Sequence, residues 1–144
     1  MLSSFQDIED ISSDQPRQRW FIDLEWYQHN NRSFFFLAKS CLCPKCRELV
    51  KGDEGAVPVA NVLKAIKNCC SKCPDFITSR QPVLDSIFRL FLANGNQPLD
   101  IEEMSNQLSE RRGANAYPTS YEVLSRLLKN DHYYGLRQVQ ETGG

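Results

Sequence analysis

Two closely spaced cysteine pairs are the residues whose types and spacing best fit a defined chemistry. Cys43 and Cys46 enclose Pro-Lys, and Cys70 and Cys73 enclose Ser-Lys. A two-residue gap lets both thiolates of a pair reach one metal ion from a single turn, and four thiolates complete the tetrahedral shell that Zn²⁺ prefers. The sequence therefore predicts one structural zinc site held by Cys43, Cys46, Cys70 and Cys73. A shell closed by four protein ligands leaves no open position for catalysis.

Alternatives to this ligand set stay open at the level of the sequence. Cys69 directly precedes Cys70 and could replace it as third ligand, with a gap of three residues to Cys73. The same four thiolates also suit an iron–sulfur cluster, or they are ordinary reduced thiols. Cys41 lies on an apolar helical stripe, where a free cysteine behaves as a small buried hydrophobe. His29 stands among polar residues, which indicates a solvated side chain rather than a ligand.

The chain of 144 residues has a formal net charge of −1 and a pI near 6.1. This balance excludes the strongly basic composition typical of nucleic-acid-binding proteins, so any such binding must depend on a local patch. No apolar run approaches the roughly 20 residues of a membrane span, and the acidic, serine-rich start, residues 1–14, lacks the features of a secretory signal. We therefore expect a cytoplasmic protein with no membrane partner, in a reducing compartment where paired cysteines more often hold metal than form disulfides.

Composition and periodicity divide the chain into four predicted segments. Residues 1–19 are expected to form a mobile tail, 20–74 a four-cysteine helical module, 75–139 a winged-helix domain, and 140–144 a C-terminal tail. In the module, Trp20, Leu24 and Tyr27 recur at helical spacing and predict one or two core-facing helices. Asn30-Asn31 interrupt that stripe and Ser33 is a candidate cap, with a hairpin at the two asparagines as the alternative. Pro58 begins the helix that delivers the second cysteine pair.

The aromatic residues between positions 20 and 36 have two interpretations. They include two tryptophans and three consecutive phenylalanines, Phe34 to Phe36. Core packing is the interpretation that we adopt, because a small module needs large side chains to build a core. A stacking surface for single-stranded bases is the alternative.

The stretch after residue 75 predicts three helices and a terminal strand. Pro82 begins the first helix and Asn94-Gly95 ends it. Capping boxes, which satisfy free backbone N–H groups at a helix start, begin the other two. The boxes are Asp100 with Glu103 and Thr119 with Glu122, and the inward positions of the third helix are Val123, Leu124, Leu127 and Leu128. A strand within residues 133–139 closes the unit, so the expected fold class is mainly α, a zinc-clamped helical module followed by a winged helix.

The residues from Val83 to Val139 also resemble the HARE-HTH group of winged helices, which includes the N-terminal domain of the bacterial RNA polymerase delta subunit. The resembling positions are Gly95, Pro98-Leu99, Glu103, Thr119, Leu124, Leu127, Asp131 and Tyr134-Gly-Leu-Arg137. They cover somewhat under half the chain and are mostly caps, turns and core. The resemblance implies a winged-helix fold and a role around transcription, by contact with DNA or with a protein of the transcription machinery. The cysteine module resembles no family in this way.

Our principal functional hypothesis is a non-enzymatic nucleic-acid-binding regulator whose third helix enters the major groove. The expected binding residues are Arg111, Arg112 and Asn115 in the preceding loop, Ser120, Tyr121, Ser125, Arg126 and Lys129 on the helix, and Arg137 on the wing. From Asp75 onward acidic residues outnumber basic ones, unlike a typical duplex-binding domain. A protein–protein adaptor is therefore the alternative, and a cysteine-based redox switch is a lesser one. The sequence contains no phosphate loop, nucleophile elbow or histidine-glutamate metal helix, so no motif predicts an enzyme or a small-molecule substrate.

Overall fold

The structure, a computed structural model, describes residues 18–52, 55–113 and 119–140. Nearly all of the two predicted tails, and Asn115, lie outside these ranges. Within the ranges the chain is mainly helical, with seven α-helices, a 3₁₀ helix at Cys70–Lys72 and a three-stranded sheet. The helices are α1 (Leu24–His29), α2 (Phe34–Lys39), α3 (Pro44–Leu49), α4 (Val59–Asn68), α5 (Val83–Ala93), α6 (Ile101–Arg112) and α7 (Tyr121–Lys129). The strands are β1 (Arg19–Ile22), β2 (Leu99–Asp100) and β3 (Leu136–Gln138).

Local capping signals account for most of the helix starts. Ser33 caps α2 by accepting the N–H of Phe36 at 3.0 Å, so a helix pair rather than a hairpin surrounds the two asparagines. Asp100 and Glu103 form the predicted capping box of α6, with distances of 2.8 and 2.9 Å. Pro58 and Pro82 stand directly before α4 and α5. These predictions are confirmed, because each depends only on residues within one helical turn.

The predicted start of the third C-terminal helix is wrong by one residue. Ser120, not Thr119, is the N-cap of α7, and its Oγ accepts the N–H of Val123 at 3.2 Å. Leu124 and Leu128 form the buried stripe of α7, whereas Val123 is 38% exposed. The helix therefore covers its neighbours with a narrower apolar face than predicted, and Val123 belongs to its solvent side.

The prediction of a helix from Trp20 is wrong, because residues 19–22 form strand β1. Trp20 and Ile22 are buried while Arg19 and Phe21 face outward, which is the two-residue alternation of a strand. The helix begins only after Asp23, whose side chain accepts the N–H of Glu25. Leu24, expected in the core, lies in the first turn of α1 and is 47% exposed.

Strand β1 is the central strand of a sheet whose other members come from the second half of the sequence. The order is β2-β1-β3 and both pairings are antiparallel. Trp20 lies opposite Leu99 on one side and Gln138 on the other, and Ile22 lies opposite Leu136. The sheet therefore joins the first described residues to the three C-terminal helices.

The side chain of Asn96 extends the pairing of β1 beyond the two residues of β2. Its Oδ1 accepts the N–H of Ile22 at 2.8 Å, and its Nδ2 donates to the carbonyl of Ile22 at 2.9 Å. Asn96 has a φ of 62°, a left-handed conformation that asparagine tolerates better than most residues. The side chain of Asn96 thus satisfies both the N–H and the carbonyl of Ile22, the last residue of the central strand.

A buried carboxylate shapes the turn between α7 and β3. Asp131 is 5% exposed and accepts the backbone N–H groups of Tyr133, Tyr134 and Leu136 at 2.9 to 3.2 Å. Gly135 follows with a φ of 70°, and a Cβ there would lie 2.7 Å from Cε1 of Tyr27. Glycine is therefore required at this position for both its conformation and its small size.

One hydrophobic core contains residues from both sides of the predicted boundary at 74/75. Tyr27 contacts Phe34 edge to face, Phe34 contacts Phe88, and Phe88 contacts Tyr134. The hydroxyl of Tyr27 donates to the carbonyl of Tyr134 at 2.6 Å. The early aromatic segment mainly fills this core, although Phe36 is 70% exposed. The domain division stays a prediction, and the structure adds that the two predicted domains share a core and a sheet.

Candidate metal centre

Two helix ends bring the cysteines together. Cys43 is the N-cap of α3, and Pro44 begins the helix, so the backbone turns at once and Cys46 lies in the first turn. Helix α4 packs its buried stripe, Val62 and Ile66, against the core and ends at Asn68, with Cys69 as its C-cap. The 3₁₀ helix that follows contains Cys70 and leads to Cys73. The first pair therefore stands at a helix start, and the second cysteine group follows a helix end.

Three of the predicted ligands form a compact cluster. The Sγ atoms of Cys43, Cys46 and Cys70 all lie within 4.8 Å of one another. The Sγ atoms of Cys70 and Cys43 are 3.5 Å apart, and the N–H of Cys43 donates to the sulfur of Cys70 at 3.2 Å. Two thiolates on one zinc ion, each at about 2.3 Å, lie roughly 3.8 Å apart in a tetrahedral site. The three sulfurs are therefore close enough to hold one metal ion, without selecting zinc over iron.

Two cysteines remain as candidates for a fourth ligand. The Sγ of Cys73 donates to the carbonyl of Cys69 at 3.8 Å and is not a member of the three-sulfur cluster. Cys69 is the C-cap of α4 and directly precedes Cys70, and its thiol is likewise not a member of the cluster. Cys70 is itself a member of the cluster, so Cys69 does not replace it. Cys69 and Cys73 are instead the two candidates for the fourth ligand. The complete set of Cys43, Cys46, Cys70 and Cys73 stays a prediction.

The thiols of these cysteines differ in pKa. The pKa of Cys43 is lowered to about 6, because the N–H of Cys46 donates to its sulfur; burial opposes this effect, and hydrogen bonds from neighbouring thiols support it. The pKa values of Cys46, Cys70 and Cys73 are raised, in each case mainly by burial. One thiolate therefore forms readily in the cluster and further thiolates form at a cost. A bound divalent cation is the kind of charge that stabilises several thiolates together.

Cys41 lies outside the cluster, as predicted. It is buried, donates to the carbonyl of Leu37 at 3.5 Å, and has a pKa raised to about 11 by burial. These properties are those of an inert core thiol.

Trp20 carries a buried ring N–H without a hydrogen-bond partner in the described part of the chain, and nothing in the sequence indicated this.

The residues predicted to bind nucleic acid are divided by the structure into two groups. The first group is exposed on α7 and β3 or stands at their ends, except that Ser125 is half-buried; its members are Ser120, Tyr121, Ser125, Arg126, Lys129 and Arg137. The second group, Arg111 and Arg112, was expected in a loop but forms the last two residues of α6.

The side chains of this second group point to other parts of the protein. Arg111 donates to the carbonyl of Ser71 at 2.6 Å, and Arg112 donates to Oγ of Ser86 and to the carbonyl of Ser79 at 2.9 and 3.2 Å. The expectation that both arginines lie in the loop before α7 is therefore wrong, and their role in binding stays a prediction. Sequence reasoning missed these contacts because Arg111 and Ser71 are 40 residues apart and no local pattern connects them.

Comparisons with known proteins add no relative. No protein-family model, no curated protein and no solved structure matches the chain. The resemblance of residues 83–139 to HARE-HTH winged helices therefore stays a prediction. Among the described residues, no helix combines the length and the apolar character needed to cross a membrane.

Proposed function

We propose that this protein is a non-enzymatic, zinc-stabilised winged-helix protein that binds nucleic acid through α7 as a transcription-associated regulator. Its zinc ligands would be Cys43, Cys46, Cys70 and a fourth thiolate from Cys73 or Cys69. The observation that carries the proposal is the free face of α7, on which Tyr121 and the two basic residues Arg126 and Lys129 are exposed.

The order of elements supports the winged-helix part of this proposal. Helix α5 comes first, β2 precedes α6, α7 follows, and β3 closes the unit. Helix α7 packs on α6 and β3. A winged helix needs a strand between β2 and β3, and β1 takes that place in the sheet. This arrangement leaves the outer side of α7 open, as a recognition helix requires.

The two basic residues of α7 stand where phosphate contacts would be made. Arg126 and Lys129 are three residues apart, so both project from the same side of the helix. Arg137 is exposed on β3, opposite Phe21 of β1, and adds a positive charge at the sheet. Phosphate contacts supply most of the affinity of non-specific binding to DNA, so these residues should dominate the interaction.

Binding to random-sequence duplex DNA at two salt concentrations tests this proposal. We expect binding by the parent protein to weaken with salt, and the double variant Arg126→Ala, Lys129→Ala to lose about one unit of the log–log salt slope per residue. Helix α4 offers a matched control, because Lys64 and Lys67 are also exposed and also three residues apart. The control double variant should keep the parent slope. Equally weak, salt-insensitive binding by all three proteins would contradict the proposal.

The metal part of the proposal has its own test. Elemental analysis of the purified parent should give about one zinc per chain, and Cys43→Ser should lose it, because Cys43 contacts both other members of the cluster. Protein that melts identically with and without chelator would contradict a structural role, since a structural zinc contributes directly to folding.

A protein–protein adaptor is the second candidate, and a specific observation favours it. Arg111 and Arg112 donate hydrogen bonds to other parts of the protein, which leaves fewer of their donors for the expected phosphate contacts. The face of α7 also exposes Tyr121 by 64% and Val123 by 38%, and exposed tyrosine is favoured at protein interfaces. Recovery of partners from native lysate with and without nuclease distinguishes the two. Retention of RNA polymerase subunits after nuclease would favour the adaptor, and nuclease-sensitive recovery would favour nucleic acid.

A further inference from the structure

The end of helix α6 is hydrogen-bonded to the chain on both sides of Cys73. Arg111 donates to the carbonyl of Ser71, which lies inside the 3₁₀ helix between Cys70 and Cys73. Arg112 donates to the carbonyl of Ser79, six residues after Cys73. Two consecutive arginines at one helix end therefore bond the chain before Cys73, at Ser71, and after it, at Ser79.

A second line of contacts leads to the same segment through α5. Ser86 is fully buried; its Oγ accepts from Arg112 at 2.9 Å and donates to Oε1 of Gln81 at 3.2 Å. Gln81 in turn donates to the carbonyl of Phe76 at 3.0 Å. Arg89 donates to the same carbonyl at 3.0 Å. The segment that follows Cys73 is thus connected to α6 by a continuous row of hydrogen bonds.

We propose that the metal centre and helix α6 are energetically coupled through Arg111 and Arg112, which act as positioning residues. The proposal rests on the proposed function, because it needs a metal ion at the cysteines. A bound ion fixes the turn that carries Cys70, and with it the carbonyl of Ser71. Arg111 is then held, and α6 ends at a defined place.

The coupling gives the metal ion a route to the binding helix. Helix α6 ends at Arg112, and the connection to α7 begins at Gly113. Helix α7 also packs directly on α6, so a change in the position of the α6 end changes the surface on which α7 rests. Occupancy of the metal centre controls how α7 is presented, so loss of the ion weakens partner binding without touching any residue of the α7 face.

Linkage makes the coupling measurable without any partner. If the metal ion stabilises the contacts of Arg111 and Arg112, those contacts stabilise the bound ion by the same factor. We expect Arg111→Ala and Arg112→Ala each to weaken Zn²⁺ affinity about fivefold, measured on the full chain by competition with a chromophoric chelator. Arg111→Lys should recover part of the loss, because lysine keeps a donor.

Two controls separate coupling from general effects. Arg80→Ala removes an exposed arginine one residue after Ser79 and should leave Zn²⁺ affinity unchanged. Asn96→Ala removes two hydrogen bonds to β1 and controls for a general loss of stability. An equal loss of affinity in Asn96→Ala would overturn the proposal, because the arginines would then act only through global stability.

Amide hydrogen exchange gives a second measurement on the parent protein. Removal of Zn²⁺ should reduce protection in the last turn of α6 more than in α5. Unchanged Zn²⁺ affinity in both arginine variants, or unchanged exchange at the α6 end, would overturn the coupling alone. A parent protein that binds no Zn²⁺ would overturn both the coupling and the metal part of the proposed function, and elemental analysis identifies that case.

Discussion

Replacement of Asn96 should destabilise the protein through the central strand of its sheet. Asn96→Gly removes both hydrogen bonds between the Asn96 side chain and the backbone of Ile22. Ile22 is 1% exposed, so its N–H and its carbonyl lose their partner at a place that water does not reach. A lost hydrogen bond costs about 1 kcal/mol, and an unpaired buried group costs more. We expect Asn96→Gly to lower the free energy of unfolding by about 2 to 3 kcal/mol.

Asn96→Ala should cost about 1 kcal/mol more than Asn96→Gly, because alanine must adopt the left-handed φ of 62° that glycine accepts freely. Asn96→Asp keeps the acceptor for the N–H of Ile22 but places an oxygen against its carbonyl, so it should lie between the parent and the glycine variant. Urea unfolding followed by the fluorescence of the two tryptophans, Trp20 and Trp26, measures all four proteins. A glycine variant within about 0.5 kcal/mol of the parent would refute the argument.

Three further predictions concern the turn, the cysteines and the pH dependence. Asp131→Ala should destabilise the protein by about 3 kcal/mol in urea unfolding, because three backbone N–H groups lose their acceptor, and Asn at this position should cost less. If the thiols of Cys69 and Cys73 substitute for one another, the variants Cys69→Ser and Cys73→Ser should each retain zinc and the double variant should lose it. If elemental analysis instead shows that one of the two single variants loses zinc, that variant identifies the fourth ligand. Burial raises the pKa of Tyr134 to about 12 from 10.0, so its stabilising effect is complete below pH 10.0 and is lost as the pH rises towards about 12. Unfolding measurements across that range should show a slope that Tyr134→Phe reduces.

Sequence reasoning was most successful where a feature depends on residues within a few positions. Ser33, Asp100 and Pro82 mark helix starts through contacts inside one turn, and the structure has a helix after each of them. The first cysteine pair is local in the same sense, because both of its sulfurs lie in the cluster, whereas only Cys70 of the second pair does. Three of the four sulfurs of the two pairs form the cluster.

The features that the sequence did not predict depend on distant partners. Strand β1 has four residues, too few for its alternation to stand out against the helical spacing of Trp20, Leu24 and Tyr27. Its partners lie near residues 100 and 137. Spacing also leaves the proposed fourth ligand undetermined, because Cys69 and Cys73 both lie within three residues of Cys70, the cluster member from the second half of the motif.

The position of β1 decides how the metal centre and α7 relate to each other. Strands β2 and β3 each pair with β1 in the sheet order β2-β1-β3, so residues 75–139 alone lack the strand that joins them. The chain between β1 and α5 includes all the cysteines, and it is attached to the sheet at one end and to the core through α4 and α5 at the other. A metal ion there would close a loop that begins at β1 and ends at α5, which pack on β3 and α6, the two elements that contact α7. Under the proposed function, this topology would make the metal centre part of the scaffold of α7, since the cysteine segment is joined to β1 at one end and to α5 at the other.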